Sequence, residues 1–184
     1  MSTIHALDPG PKVTGWAEFD GSRVYGAGVE QNETLLQQLL GPQDADAVLA
    51  IEKIEAMGMA VGAEVFETVH WCGRFYQAWP GTKVLRITRR QVKLHLCGNM
   101  RAKDPNIRQA LIDLLGAPGT KKAPGPTFGV TSHAWAALAV AVVAQHEMQP
   151  APVLERAPDV GGFVRVNVST SGAALPATHQ GERP

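Results

Sequence analysis

The feature that most constrains the fold of this chain is the stretch at positions 4–15, which reads IHALDPGPKVTG. Ile4, Ala6 and Leu7 have the pattern of a buried strand. The Pro-Gly-Pro sequence after them predicts a tight turn, because proline cannot donate a hydrogen bond to a strand ladder. Asp8 is therefore expected at the end of a strand, next to this turn. An aspartate at such a place either caps the turn or binds a ligand.

A second apolar run ends in an acidic residue in the same way. The sequence LAIEKIE at positions 49–55 contains an apolar strand that ends in Glu52. The apolar residues before Glu52 are continuous, which is typical of a central strand buried on both faces of a sheet. Two strands that each end in a carboxylate favour a ligand-binding role for Asp8 as well as for Glu52.

The length of the chain limits the number of domains. With 184 residues, the chain is long enough for one well-buried core and too short for two comfortable ones. We therefore predict one compact domain over residues 1–148. From position 149 the composition shifts to proline, alanine, glycine and serine, which indicates a partly flexible C-terminal extension over residues 149–184. Residues 163–168 of this extension have the pattern of a strand.

Two classes of protein do not fit this sequence. It contains no run of about 18 apolar residues and no basic and then apolar pattern at the N-terminus, so we expect a cytoplasmic protein. Cys72 and Cys97 lie far apart, with no cysteine or histidine at metal-binding spacing around them. We therefore expect free thiols and no structural zinc.

The charge is unevenly distributed, although the net charge of the chain is zero. Residues 83–122 carry a net charge of +8, so the remainder carries −8. Such asymmetry is typical of proteins that bind a polyanion, and a solvated charged face is the alternative. We call the basic residues of this segment the basic block. They are Lys83, Arg86, Arg89, Arg90, Lys93, Arg101, Lys103, Arg108, Lys121 and Lys122.

Strand and helix patterns follow one another in an order that limits the fold. Asp20-Gly21 predicts a hairpin, Asn32 and Thr88 are candidate helix caps, and Asp104-Pro105 begins a helix. Residues 117–129 are predicted to form a mobile loop rich in proline, glycine and lysine. The predicted strands are 4–7, 13–19, 23–29, 47–51 and 83–87, and the predicted helices are 32–40, 63–79, 88–97, 104–115 and 133–145.

This order is that of the RNase H-like fold, an α/β architecture. Its mixed five-stranded sheet has three antiparallel strands followed by parallel ones, with helices on both faces. The first strand lies beside the fourth in this fold. We therefore expect Asp8 and Glu52 side by side at the centre of the sheet.

Five blocks of the sequence are distinctive when taken together. They are LDPGPKVTGWA, AIEKIEAMGMAVGAEVFET, RITRRQVKLHLCG, RAKDPNIRQALID and SHAWAALAVAV. In this order they resemble RuvC-type Holliday-junction resolvases, in particular the phage- and prophage-encoded branch. The resemblance covers most of residues 4–144 and does not extend to the C-terminal extension. It implies a homodimeric, Mg²⁺-dependent endonuclease, with Mn²⁺ as a substitute, that cuts branched DNA such as four-way junctions.

The resemblance also implies a metal site. Asp8, Glu52 and His133 occupy positions at which the family holds its ions, and His133 can serve as a metal ligand or as a water-orienting base. Many relatives have aspartate at the position of His133. Mg²⁺ takes hard oxygen ligands and keeps several waters, so a few carboxylates suffice.

The chain departs from the family at a further position. Many bacterial RuvC enzymes have another aspartate where this chain has Ala136, one helical turn after the histidine. The missing carboxylate can be replaced by Glu55, which is closest in sequence to Glu52, or by Glu64 or Glu67 on the following helix. Glu64 and Glu67 fit surface charges equally well.

Basic residues beside the expected cleft are candidates for DNA contacts. Contacts to phosphates position DNA without reading its sequence, and such binding weakens steeply with salt. The aromatic residues Trp71, Phe75 and Tyr76 have helical spacing, which favours core or dimer packing over insertion between bases. The candidate DNA-binding residues are Arg74, Arg86, Arg89, Arg90, Lys93, Arg101, Lys103 and Arg108.

Two other hypotheses fit the same sequence. An actin-like nucleotide-binding protein shares the topology and also has an Asp-x-Gly turn after its first strand, but it needs a second domain. A catalytically weakened protein that binds branched DNA is the other alternative, because of His133 and Ala136. The first would bind ATP, and the second would bind a four-way junction without cutting it.

Overall fold

The computed structural model describes residues 2–56, 58, 60–149, 153–156 and 163–166. Contacts divide the chain into two compact units, Met1–Met148 and Gln149–Pro184. In the second unit, two short strands, β8 (Val153–Arg156) and β9 (Phe163–Val166), pair antiparallel. Strand β9 lies within the predicted strand 163–168, of which residues 167 and 168 are outside the described residues.

The first unit is built on a five-stranded sheet in the order β3-β2-β1-β4-β5. The three strands β1, β2 and β3 pair antiparallel, whereas β4 and β5 continue the sheet in parallel with β1. This confirms the predicted RNase H-like α/β fold. The strands are β1 (Ile4–Pro9), β2 (Val13–Phe19), β3 (Val24–Gln31), β4 (Val48–Lys53) and β5 (Val84–Thr88).

Five helices cover the two faces of this sheet. They are α1 (Asn32–Leu39), α2 (Ala63–Ala78), α3 (Arg89–Cys97), α4 (Asp104–Leu115) and α5 (Ala134–Met148). Thr88 caps α3 as predicted, because its side chain accepts a hydrogen bond from the Gln91 amide and the Gln91 side chain bonds back to Thr88. None of the helices in the described part of the chain is both long and apolar enough to cross a membrane.

The alternation of side chains along the strands divides the core into two clusters. Ala6 of β1 and Ala50 of β4 face the cluster formed with α3, α4 and α5, and we call this side of the sheet the α5 face. Leu7 and Ile51, one position further on each strand, face the cluster formed with α1 and α2, which we call the α2 face. Successive side chains on a strand point to opposite faces, so the strand pattern alone decides this division.

Two local expectations about the ends of helices were wrong. Asn32 does not cap α1, because its side chain is buried and hydrogen-bonds to Thr14 and to the Gly10 carbonyl instead. His133 is not the first residue of the last helix but precedes it, since its carbonyl accepts the first helical hydrogen bond, from Ala137. Neither the buried side chain of Asn32 nor the position of His133 before the helix could be predicted from helix periodicity, because both depend on contacts with distant parts of the chain.

The segment 117–129, predicted to form a mobile loop, contains a short antiparallel hairpin. Its two strands are β6 (Gly119–Thr120) and β7 (Ala123–Pro124), and the Gly125 amide donates to the Pro118 carbonyl. Thr127 is fully buried, and its hydroxyl donates to the Gly116 carbonyl at 2.8 Å. These bonds tie the hairpin to the end of α4.

Candidate active site

The register of the sheet brings Asp8 and Glu52 together. Ala6 of β1 lies opposite Ala50 of β4 in the parallel pair. Asp8 and Glu52 are each two positions further along, so both side chains leave the same end of the sheet on the α5 face. Ile4, Ala6 and Ala50 are fully buried beneath them. The predicted side-by-side placement of Asp8 and Glu52 follows directly from this register.

His133 reaches the same place from the other end of the chain. Its Nδ1 atom lies 3.6 Å from Oδ2 of Asp8. The approach requires Gly15, which pairs with Asp8 across β1 and β2, because a Cβ atom at Gly15 would lie 2.4 Å from the His133 carbonyl oxygen. Ser132 adopts a left-handed conformation with φ of 48° immediately before His133. Unusual backbone of this kind is held in place only by surrounding packing.

The turn that carries Asp8 is fixed by buried hydrogen bonds. Thr14 and Asn32 are almost fully buried, and the Thr14 hydroxyl donates to the Asn32 side chain at 2.7 Å. The Asn32 amide group donates in turn to the Gly10 carbonyl at 2.9 Å. Sequence reasoning missed this role of Asn32, and the only signal was a polar residue between an amphipathic strand and helix. The network holds the loop between β1 and β2 against the start of α1.

The three side chains open into a pocket of about 360 Å³. Asp8 and Glu52 form its floor at the ends of β1 and β4, and His133 lies at one wall. Residues of α3 and α4, Arg89 and Asp104 among them, also line the pocket. A candidate site of this kind combines a concave shape with a few converging polar groups.

The two carboxyl groups of the floor influence each other's protonation. Burial raises the pKa of Glu52 above its usual range, and a hydrogen bond to the neighbouring Asp8 carboxylate raises it further. Burial also raises the pKa of Asp8, although the hydrogen bond from Glu52 and the Arg89 charge oppose that shift. Without a cation, one proton is therefore favoured between the two groups, with Glu52 as the protonated partner.

Arg89 connects the floor of the pocket to α4. Its Nη1 atom lies 3.7 Å from Oε2 of Glu52, and its Nη2 atom contacts Oδ1 of Asp104. Sequence reasoning missed Asp104 as a site residue, because its Asp-Pro sequence fits the first turn of a helix. Arg89, which contacts Asp104, was predicted only as a residue that binds DNA phosphates.

Not all predicted acidic candidates come together. Glu55 does not line the pocket, and its carboxylate lies 3.2 Å from Nζ of Lys53. Glu64 and Glu67 are exposed on the first turns of α2, away from the pocket lining. Ala136 does line the pocket, so its wall has a methyl group where the resemblance implies a carboxylate.

The predicted DNA-binding residues divide into three groups. Arg89 and Arg108 line the pocket, and the Arg108 guanidinium lies 5.0 Å from the Trp135 ring centroid. Arg74 is engaged elsewhere, because it bonds to Glu33 at 2.9 Å and stacks on Trp71. The remaining candidates lie outside the pocket lining, all exposed except the half-buried Lys93. They are Arg86, Arg90, Lys93, Arg101 and Lys103.

The donor set of the floor fits a hard divalent cation. Glu52 is 8% exposed, and its Oε2 atom has no hydrogen-bond partner within the described part of the chain. A buried polar oxygen without a partner is costly, so an incoming cation would be a favourable partner. Among the described residues, no three histidine, cysteine or acidic side chains are already arranged around one metal position. The residues fit the ion, and their side chains would have to close around it.

Comparisons with known proteins support the architecture. No protein-family model matches the sequence, and no curated protein matches it. The structure is similar to that of RuvC from Thermus thermophilus, with a TM-score of 0.54 and 20% identity over 79% of this chain and 96% of that chain. It is also similar to T. thermophilus RuvC in complex with a Holliday junction substrate, with a TM-score of 0.54 and 19% identity over 78% and 92%. The chain therefore has a RuvC-like fold.

Proposed function

We propose that this protein is a metal-dependent endonuclease that hydrolyses phosphodiester bonds in branched DNA, with the four-way junction as its substrate. The observation that carries the proposal is the convergence of Asp8, Glu52 and His133 in one pocket of a RuvC-like fold. One of the similar structures is a complex with a Holliday junction substrate. The nuclease domain is assigned to residues 1–148 and the extension to residues 149–184.

Mg²⁺, or Mn²⁺ in its place, is the proposed cofactor. Asp8 and Glu52 would hold it with carboxylate oxygens, and His133 is the third candidate ligand. When bound, such ions activate water and stabilise the charge that develops on the phosphate. The proton shared by Asp8 and Glu52 must leave before both carboxylates can bind a cation.

The protein's own residues supply the remaining functions. The side chain of His133 is 64% exposed, so the imidazole can accept a proton from a water molecule in the pocket and release it to solvent. Arg108 is held over Trp135 at the pocket wall, where its guanidinium can bind a phosphate oxygen of the strand to be cut. The exposed Arg90 of α3 and the exposed Arg101 and Lys103 before α4 extend this positive surface.

The resemblance in the sequence leads to two further proposals. The protein is a homodimer, and the exposed apolar residues Phe66, Val69 and Tyr76 of α2 are candidates for the interface. It belongs to the phage- or prophage-encoded branch of the resolvases and acts in the cytoplasm of a bacterial host. Arg86, Arg90, Lys93, Arg101 and Lys103 remain proposed DNA contacts, as does Arg74, whose pairing with Glu33 would then have to open.

A cleavage assay tests the proposal. A labelled four-way junction and a linear duplex of the same sequence are incubated with the protein and Mg²⁺ or Mn²⁺. We expect cleavage of the junction only. The Asp8→Asn variant should lower the rate about 10²- to 10³-fold, which is the usual effect of removing a group that stabilises transition-state charge. Asp113→Asn on the exposed side of α4 is the matched control and should leave the rate unchanged.

One observation favours a second candidate function, a protein that binds branched DNA without cutting it. The wall of the pocket carries Ala136 where the resemblance implies a carboxylate, and Arg89 already lies near Glu52. A binder of this kind would retain junction affinity in a gel-shift assay and show no cleavage with either metal.

The prediction that Glu55 replaces the missing carboxylate has its own test. If the Glu55→Gln variant cleaves the junction at the wild-type rate, that prediction is contradicted.

A further inference from the structure

The guanidinium group of Arg89 is shared unequally between two carboxylates. Its Nη2 atom is in direct contact with Oδ1 of Asp104. Its Nη1 atom lies 3.7 Å from Oε2 of Glu52, which is beyond hydrogen-bonding distance. Glu52 Oε2 accordingly has no hydrogen-bond partner within the described chain. Asp104 is therefore the closer partner of Arg89, and Glu52 interacts with the guanidinium group only at the longer distance, without a hydrogen bond.

The positions of these groups follow from the fold. Arg89 is the first residue of α3, and the reciprocal bonds between Thr88 and Gln91 fix the direction in which that helix begins. Asp104 is the first residue of α4, which packs against α3. The arginine backbone is thus fixed beside the pocket, and the remaining freedom lies in its long side chain.

From this geometry we propose that Asp104 is a positioning residue that acts through Arg89. It holds the guanidinium group away from Glu52 and so keeps the buried carboxylate available to the divalent cation. The inference rests on the proposed function, because it concerns the regulation of the same pocket.

The physical argument is a competition for one cation. Metal binding requires Glu52 in its ionised form. In that form Glu52 is buried whereas Asp104 is 80% exposed, so an arginine released from Asp104 would gain more by pairing with Glu52. Such a pair would leave the divalent ion to compete with a charge fixed to the protein.

A direct role of Asp104 as a metal ligand is the main alternative. Its exposure and its contact with Arg89 speak against that role. The two roles predict different results when Arg89 is also changed, because effects of groups that act through each other are not additive.

The experiment measures Mn²⁺ affinity directly by isothermal titration calorimetry in the full-length protein without DNA. Asp104→Asn should weaken Mn²⁺ binding about tenfold, as expected when a group that acts through another side chain is removed. Arg89→Gln should bind Mn²⁺ at least as tightly as the wild type. The double variant Asp104→Asn with Arg89→Gln should regain wild-type affinity. Asp113→Asn is the matched control on the same helix, and thermal unfolding of each variant reports whether it folds.

The outcomes distinguish an error in the role of Asp104 from an error in the proposed function. An affinity that is lowered equally in the single and the double variant would make Asp104 a direct ligand and overturn the inference. Equal affinity of Asp104→Asn and the wild type would also overturn it. Absence of junction cleavage by a wild type that binds Mn²⁺ would contradict the proposed function alone. A wild type that binds no Mn²⁺ would contradict both.

Discussion

The two faces of the sheet are covered by helices of very different character. On the α5 face, α5 is buried along most of its length, from Ala134 to Ala144. On the α2 face, α2 buries Thr68, Trp71 and Phe75 but leaves Phe66 65% exposed. The candidate site residues Asp8, Glu52 and His133 all belong to the α5 face. The difference teaches that the candidate site lies on the face where packing leaves the least freedom, while the other face retains an open apolar surface.

The largest contrast should be in the response to truncation of apolar side chains. Leu138 in α5 is fully buried, so Leu138→Ala should lower the free energy of unfolding by about 2–5 kcal/mol. Phe66→Ala in α2 should change it by less than about 0.5 kcal/mol, because the ring is already largely in water. Urea denaturation of both variants measures the difference. Similar losses would contradict the division into a closed and an open face.

Substitution of Gly15 and of Gly73 by alanine should change the free energy of unfolding in opposite directions. A Cβ atom at Gly15 would meet the backbone of His133, so Gly15→Ala should lower the free energy of unfolding by about 1–3 kcal/mol and reduce junction cleavage. A Cβ atom at Gly73 in α2 meets nothing within 4 Å. Gly73→Ala should therefore stabilise the protein by about 0.5–1 kcal/mol, as alanine does in exposed helices. Thermal and urea unfolding of the pair tests both signs.

The dependence of stability on pH should be concentrated on the α5 face. Burial and the neighbouring Asp8 raise the pKa of Glu52 to about 8 from an ordinary value of 4.5. The contribution of neutral Glu52 to the free energy of unfolding is thus fully present below pH 4.5. It is lost as the pH rises through the folded-state pKa. Glu52→Gln stays neutral, so in EDTA it should exceed the wild type in stability by about 1–2 kcal/mol near pH 9.

A matched control on the surface keeps this prediction specific. Glu55 is exposed beside Lys53, and Glu55→Gln should follow the pH dependence of the wild type. The measurement is the urea midpoint at a series of pH values from 4 to 9, in buffers of about 0.1 M ionic strength. A wild-type stability that rises with pH over this range, or a Glu52→Gln variant with the same slope, would contradict the shared proton between Asp8 and Glu52.

The smallest effect on stability is expected from Phe66→Ser, which tests what covers the α2 face. Its unfolding free energy at low protein concentration should stay within about 0.5 kcal/mol of the wild type. The proposed homodimer should nevertheless weaken, because the ring would leave the interface. Light scattering after size-exclusion chromatography measures the mass of both proteins. A wild-type protein that is monomeric at every concentration would contradict the proposed homodimer.

Much of the sheet could be predicted from the sequence because its strands and turns depend on residues that are close together in the chain. The strand patterns, the Asp20-Gly21 hairpin and the Thr88 cap all depend on neighbouring residues, and the structure has all of them. The pairing of β1 with β4 followed from the order of elements. The adjacency of Asp8 and Glu52 then needed only the alternation of side chains along two paired strands.

The remainder of the site could not be predicted, because it depends on contacts between distant segments. Asp104 enters the pocket only through the packing of α4 against α3. Asn32 binds a turn that lies 22 residues away in sequence. The hairpin after α4 is closed by Gly125, where a Cβ atom would overlap the Ala117 carbonyl. None of these contacts leaves a periodic pattern in the sequence.

The approach of His133 to Gly15 has a consequence for the timing of assembly. His133 directly precedes the helix that fills the centre of the α5 face, and its backbone meets Gly15 on a strand far earlier in the chain. A chain that ends before His133 has both carboxylates but neither the imidazole nor the central part of the core on this face. Completion of the tertiary structure and completion of the candidate site are therefore one event, and an unfinished polypeptide would lack the proposed nuclease activity.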